Sequence, residues 1–224
     1  MKLHDLTPVR SLDSSVERLP ARSRSFATAK AGNPPKSRSA GRRRMTLFVG
    51  LGNPGKEYIQ TRHNYGYVAV DVLAELLNAP AFKKDVRNGV LLSSIVHNGL
   101  KVFLAKPLMF MNESGTSVGK LVRYHRVPPE DLWILHDDMD LAVGTIRHSY
   151  DSRSAGHNGV QSIIDALGTK AFHRIRIGIG ASQKTNIPAE QYVLERPSKA
   201  DDAAIRSALR EYLERLVEEA FFEK

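Results

Sequence analysis

Apolar residues along the chain fall into two kinds of run. Some are short and continuous, and others recur every three or four positions. Leu47 to Leu51 is continuous, apolar and bounded by glycine, which suits a buried strand. Gly52-Asn53-Pro54-Gly55 then breaks the chain with residues suited to turns. A helical spacing follows over 65–77, with Tyr65, Val68, Val72, Leu73, Leu76 and Leu77 on one side, Asn64 as its N-cap, and Asn78 and Pro80 at its end. Residues 81–88 are polar and read as a loop. Gly89 to His97 and Leu100 to Lys106 read as strands joined at Asn98-Gly99, a strong hairpin signal, with Pro107 closing the second.

Further on, Val118, Leu121, Val122 and His125 mark a helix capped by Asn112 or Ser114 and stopped by Pro128-Pro129. Leu132 to Leu135 is a buried strand that runs into His136-Asp137-Asp138-Met139-Asp140. Thr145 to His148 is a short strand, and Ser149 to Gly156 a polar loop. His157-Asn158-Gly159 opens a helix carrying Val160, Ile163, Ile164 and Leu167, ended by Gly168. Arg174 to Gly180 alternates basic and apolar residues, as a strand with one wetter face does. Ser198 to Phe222 reads as a long terminal helix. The alternation predicts an α/β fold: a single three-layer domain with a mixed, mostly parallel twisted sheet flanked by helices, an antiparallel hairpin and a C-terminal helix.

Composition narrows the function. The 224 residues suffice for one domain with a core. Without cysteine the chain has no disulfide, thiolate metal site or cysteine nucleophile, and it suits a reducing compartment. No apolar run reaches the length of a membrane span. Of the net charge of +9, +8 lies in residues 1–44, which hold 11 Lys and Arg against three acids. The rest is nearly neutral, so a nucleic-acid site on the body must be a local patch. Residues 1–44, rich in Arg, Ser, Pro and Ala, are expected to be a disordered basic tail, with residues 45–224 the catalytic domain. Three readings of that tail compete: a transit peptide, which would make the protein organellar, a basic RNA-binding arm, or a leader preceding a true start at Met45, which we favour.

Chemistry concentrates in polar loops at strand ends, where open α/β sheets bind ligands. Asn53 with His63, Phe110-Met111-Asn112, and Asp137 with Asn158 share this placement. His63 is the obvious general base. A carboxylate such as Asp137 would hold one tautomer of its imidazole, and asparagine amides suit a carbonyl substrate or a developing oxyanion. Plainer roles stand beside these: Asn53 as a turn residue, His63 or Asn158 as a helix cap. Gly50, Gly55 and Lys56 nearly form a P-loop. However, Glu57 stands where Ser or Thr is needed, Pro54 removes an amide, and no helix starts at Lys56. Asp137-Asp138 lacks a second acidic cluster for a metal, and no serine elbow exists.

Taken together, Gly50-Leu51-Gly52-Asn53-Pro54-Gly55 with Tyr58 and Thr61-Arg62-His63-Asn64 resembles the opening of the bacterial-type peptidyl-tRNA hydrolases. Phe110-Met111-Asn112 with Ser114-Gly115, His136 to Asp140, Gly156 to Gly159 and Phe172 to Gly180 resemble four further motifs, in order, from about Leu47 to the terminal helix. The resemblance implies hydrolysis of the ester joining a peptide to the 3′-terminal ribose of tRNA, by a cytoplasmic monomer without cofactor or metal. It implies His63 as general base, Asp137 as its orienting partner, Asn53 as the discriminator of peptide-blocked substrate, and Asn112 as the group that positions the carbonyl. Tyr58, Phe110 and Asn158 would contact the peptide and the tRNA 3′ end, and Arg176 a phosphate. Ser149 stands where the family often has a phosphate-binding lysine; Arg147 and Arg153 lie near enough in sequence to substitute. The competing expectation is a non-catalytic RNA-binding relative of the same fold, resembling splicing factors.

Overall fold

The computed structural model describes residues 45–180 and 187–222, with side chains described through residue 219. The tail expected over 1–44 lies outside the described residues.

Among the described residues, seven strands form one sheet, in the order β2-β3-β4-β1-β5-β7-β6. They are β1 (Met45–Gly50), β2 (Lys83–Asp85), β3 (Val90–His97), β4 (Leu100–Pro107), β5 (Leu132–Asp138), β6 (Ile146–Tyr150) and β7 (His173–Gly178). The central four, β4, β1, β5 and β7, are parallel. The outer pairings, β2 with β3, β3 with β4 and β6 with β7, are antiparallel. The register Gly50↔Leu135 brings the carboxyl ends of β1 and β5 to the same edge.

Helices cover both faces. Helices α1 (Tyr65–Leu76) and α5 (Lys199–Phe222) pack with Phe48, Leu135, Ile175 and Ile177. Helices α2 (Ser114–His125) and α3 (Asn158–Leu167) cover Leu47, Val49, Phe103 and Ile134 on the other side. A strand buried on both faces needs apolar residues at every position, which is why Leu47–Leu51 reads as an unbroken run. A short helix, α4 (Ala189–Leu194), precedes α5. Among the described residues no helix is long and apolar enough to cross a membrane.

The start of α1 meets the sheet with no room for a side chain. A Cβ on Gly66 would fall well inside van der Waals contact with the backbone oxygens of Leu135 and Leu51, and one on Gly50 would strike Gly66. This close approach seats the residues just before α1, including His63, directly on the ends of β1 and β5.

Several local expectations need correction. Residues 81–88 are not all loop, because Lys83–Asp85 pairs with β3 as an edge strand too short and charged to show a period. Neither Asn112 nor Ser114 caps α2. A 3-10 turn over Met111–Glu113 leads into it, Glu113 holds the cap position and no side chain caps it. That helix ends at His125, ahead of Pro128-Pro129, because Arg126 turns left-handed at φ 56°. β6 continues to Tyr150, into the stretch read as loop. The hairpin is as expected, with Asn98 and Gly99 both at positive φ (48° and 76°).

Candidate active site

His63 lies in a 3-10 turn, Arg62–Asn64, between β1 and α1. The turn is tied down from outside. The Arg62 amide donates to the Glu195 carbonyl at 3.1 Å, and its guanidinium lies 4.1 Å over the Tyr192 ring. Asp137 comes from the end of β5 and is 2% exposed. His63 Nδ1 lies 2.9 Å from each Asp137 carboxylate oxygen. An ionised carboxylate only accepts, so Nδ1 carries the proton and Nε2 keeps its lone pair. Nε2 has no partner among the described residues. It belongs to a half-open cavity of about 270 Å³ whose lining includes His63, Asp137, His157, Asn158, Met139 and Val193.

A second imidazole completes the arrangement. His157 is the N-cap of α3, and its Nδ1 accepts from the amides of Gly159 (3.1 Å) and Val160 (3.3 Å). Two N–H groups aimed at Nδ1 require a lone pair there, so the proton sits on Nε2. It is donated to Asp137 Oδ1 at 3.1 Å. Burial alone pushes the Asp137 carboxyl up. Electrostatic attraction to the N–H groups of His63 and His157, and the hydrogen bonds they donate, outweigh it and hold the group well below the usual carboxylate range. The neighbouring His136 behaves oppositely. Its Nδ1 donates to the Asp137 carbonyl oxygen at 2.7 Å and its Nε2 is buried without a partner. Burial, reinforced by His157, lowers its pKa well below normal, so it stays neutral.

The nearest ligating atoms of His63, Asp137 and His157 lie within 4.8 Å of one another, a spacing a metal could exploit. The proton on His157 Nε2 argues against that use. Binding a cation there would move the proton to Nδ1, against two amides that need an acceptor. The cluster is built as a hydrogen-bonded chain.

Asn53 and Asn64 form a second hydrogen-bonded pair, outside the cavity lining. The Asn53 amide donates to Asn64 Oδ1 (2.8 Å), and Asn64 Nδ2 returns a bond to the Asn53 carbonyl (3.0 Å). The Asn53 side chain is held in turn, its Oδ1 accepting from the Met111 amide at 2.8 Å. What Asn53 presents to a ligand is therefore its Nδ2 donor pair. Asn112, next to Met111, is exposed. Tyr58 and the 53%-exposed Phe110 meet edge to face at 6.4 Å.

The expected residues thus divide. His63, Asp137 and Asn158 line the cavity, while Asn53, Tyr58, Phe110 and Asn112 lie outside its lining. Arg176 lies on β7, its Nε bound 2.6 Å from Asp138 Oδ2. Arg174, two residues earlier, is buried beneath the loop that follows β6, donating to Ser152 Oγ (2.9 Å) and the Arg153 carbonyl (2.6 Å). Lys56 is exposed and no helix follows it, unlike the lysine of a P-loop. Asn158 does not cap α3, since His157 does. Sequence reasoning assigned His157 no role and Asn64 only a cap. The side chain of Asn64 makes no cap bond. It reaches back 11 residues to Asn53, and nothing in local spacing announces that.

Comparison with known proteins places this geometry. A family model described as peptidyl-tRNA hydrolase matches residues 47–223. The peptidyl-tRNA hydrolase of Mycolicibacterium smegmatis is 43% identical over 159 residues, covering 71% of this chain and 82% of that protein. That of Mycobacterium tuberculosis H37Rv is 44% identical with the same coverage. The crystal structure of the Acinetobacter baumannii peptidyl-tRNA hydrolase superposes with a TM-score of 0.71 at 31% identity, covering 82% of this chain and 96% of that one. The chain belongs to the peptidyl-tRNA hydrolase family.

Proposed function

We propose that the protein hydrolyses the ester between the peptide and the 3′-terminal ribose of peptidyl-tRNA, freeing tRNA from stalled or aborted translation. The observation that carries this reading is a buried carboxylate holding the imidazole of His63 with its Nε2 open to a cavity. Nε2 takes a proton from water as the water oxygen bonds to the ester carbonyl carbon. Asp137 stabilises the imidazolium that forms. The tetrahedral intermediate then expels the 3′ oxygen, which receives the proton from Nε2. An ester has a good leaving group, so an oriented base and amide donors suffice without a covalent intermediate.

The fixed amide of Asn53 gives selectivity a physical basis. A peptide carbonyl meets a donor pair and accepts from it, whereas a free α-ammonium would place donor against donor. Asn112 positions the ester carbonyl, and Tyr58 and Phe110 offer aromatic surface to the peptide. Asn158 contacts the tRNA 3′ end. Arg176 contacts phosphate, its charge partly offset by Asp138. The protein works as a cytoplasmic monomer without cofactor.

The test is release of the blocked amino acid from N-acetyl-aminoacyl-tRNA by the full chain and its His63→Ala variant. Turnover by the parent that falls by about 10² to 10⁴ in the variant supports the reading. A folded parent that binds tRNA without turnover sinks it in favour of an RNA-binding role.

A further inference from the structure

His157 has no part in the chemistry above, yet it shares Asp137 with the base. Asp137 Oδ1 accepts from both rings, from His63 at 2.9 Å and His157 at 3.1 Å. The ring centroids of the two histidines are 5.0 Å apart, and His136 packs edge-on against His157 at 4.7 Å. His63 Nδ1 lies equally near both carboxylate oxygens, so its single N–H does not choose between them, and the last torsion of Asp is broad. A second donor from a different element removes that freedom. His157 is itself anchored at its far nitrogen by two backbone amides of α3, so the orientation passes from a helix end, through an imidazole, to the carboxylate.

We propose that His157 is a positioning residue for the hydrolysis, a helix-anchored donor that fixes the plane of Asp137 and through it the aim of His63. This rests on His63 being the base. It also sets how strongly Asp137 holds the His63 proton. Two donors share the carboxylate charge. With one removed, Asp137 bonds His63 alone and favours its charged form more. The acid limb of the activity profile then moves to higher pH. Other charged or titratable groups around the pair are His136 and Asp138 on β5, Asp140 after it, Arg176 on β7, Arg62 in the 3-10 turn, and Glu190 and Glu195 at α4. None changes in the variants below.

Two substitutions separate the capping role from the positioning role. Asparagine is a good N-cap but too short to reach Asp137, so His157→Asn keeps the cap and loses the donor. Glutamine reaches about as far as the imidazole Nε2 but caps poorly, so His157→Gln keeps the donor and loses the cap. The full chain and both variants are compared by thermal melting, by the pH dependence of kcat and KM on N-acetyl-aminoacyl-tRNA, and by NMR titration of His63. His157→Asn is expected to melt near the parent and lose roughly tenfold to a hundredfold in kcat with little change in KM. Its acid limb and its His63 titration should both rise by roughly one unit. His157→Gln is expected to melt lower while keeping more of the parent's kcat and pH profile. A His157→Asn variant with the parent's kcat and His63 titration overturns the proposal, as does loss of activity that merely tracks melting temperature in both variants. If the parent itself does not hydrolyse the ester, the reading of function falls. The NMR titrations then still decide whether His157 acts on the His63–Asp137 pair.

Discussion

Replacing Asn64 by alanine should damage both stability and selectivity, in separable amounts. The side chain satisfies the Asn53 N–H (2.8 Å) and the Asn53 C=O (3.0 Å), and Asn53 and Asn64 are 8% and 3% exposed. Truncation leaves both backbone groups without partners. A stranded buried polar group costs about 1 to 3 kcal/mol, and water entering the vacated volume recovers part of it, so the pair is worth about 2 to 4 kcal/mol. For a domain of this size that lowers Tm by roughly 5 to 15 °C. The functional loss follows a different route. Asn53 keeps its bond to the Met111 amide but loses the backbone anchor beneath it. Its donor pair then no longer points one way, and the preference for N-blocked over free aminoacyl-tRNA should shrink by about tenfold, as expected from weakening one hydrogen-bonded discriminator. Thermal melting followed by circular dichroism and parallel hydrolysis of blocked and free substrates measure the two effects. Combining the change with Asn53→Ala tests the route. If Asn64 acts through Asn53, the double variant discriminates no worse than Asn53→Ala alone. An Asn64→Ala protein that melts within about 2 °C of the parent, or whose selectivity loss adds fully to that of Asn53→Ala, would refute the reasoning.

Two further outcomes follow from buried groups. His136 is held neutral in the fold while the unfolded chain binds a proton at about pH 6.5, so the unfolded state takes up more protons as pH falls. Stability should decline below that pH with a slope approaching about 1.4 kcal/mol per unit from this residue, and His136→Phe should flatten the urea midpoint measured between pH 7 and 5, at a lower baseline. Gly66→Ala drives a methyl into the backbone oxygens of Leu135 and Leu51, which cannot rotate away. A loss of about 3 kcal/mol in chemical denaturation is expected, and a fully stable variant would show that α1 can lift from the sheet.

Much of this architecture was legible because its signals are local. The run Leu47–Leu51, the Asn98-Gly99 turn and the spacing of Ile163 with Leu167 each report burial or backbone geometry within a few residues. The candidate base was legible as well, since a histidine between a strand and a helix is conspicuous. What escaped depends on contacts far apart in sequence. Asn64 looked like a cap because it precedes a helix, and only the return of the loop beneath it gives Asn53 as its partner. His157 looked like part of a helix start, which it is. Its other nitrogen faces Asp137 because β5 ends and α3 begins at the same edge. The two arginines of β7 read alike in the alternation, yet Arg174 is buried under a loop and Arg176 is paired with Asp138. Which of two basic residues stays available to a phosphate is decided by neighbours on β5 and by the loop 151–156.

The place of β1 in the sheet bears on how the chain comes off the ribosome. Of the described strands it is the first synthesised and the middle one in the sheet, and its partners are residues 101–105 on one side and 132–135 on the other. At about 5 to 20 residues per second, translation leaves roughly 3 to 10 s before β4 even exists. Through that interval the apolar run Leu47–Leu51 has no sheet to join, which makes it the segment most exposed to chaperones and to mispairing. The sheet cannot grow outward from an edge as the chain emerges; it closes around its oldest strand. His63 waits as well, since Asp137 follows it by 74 residues. A chain released before residue 137 carries the imidazole without the carboxylate that aims it.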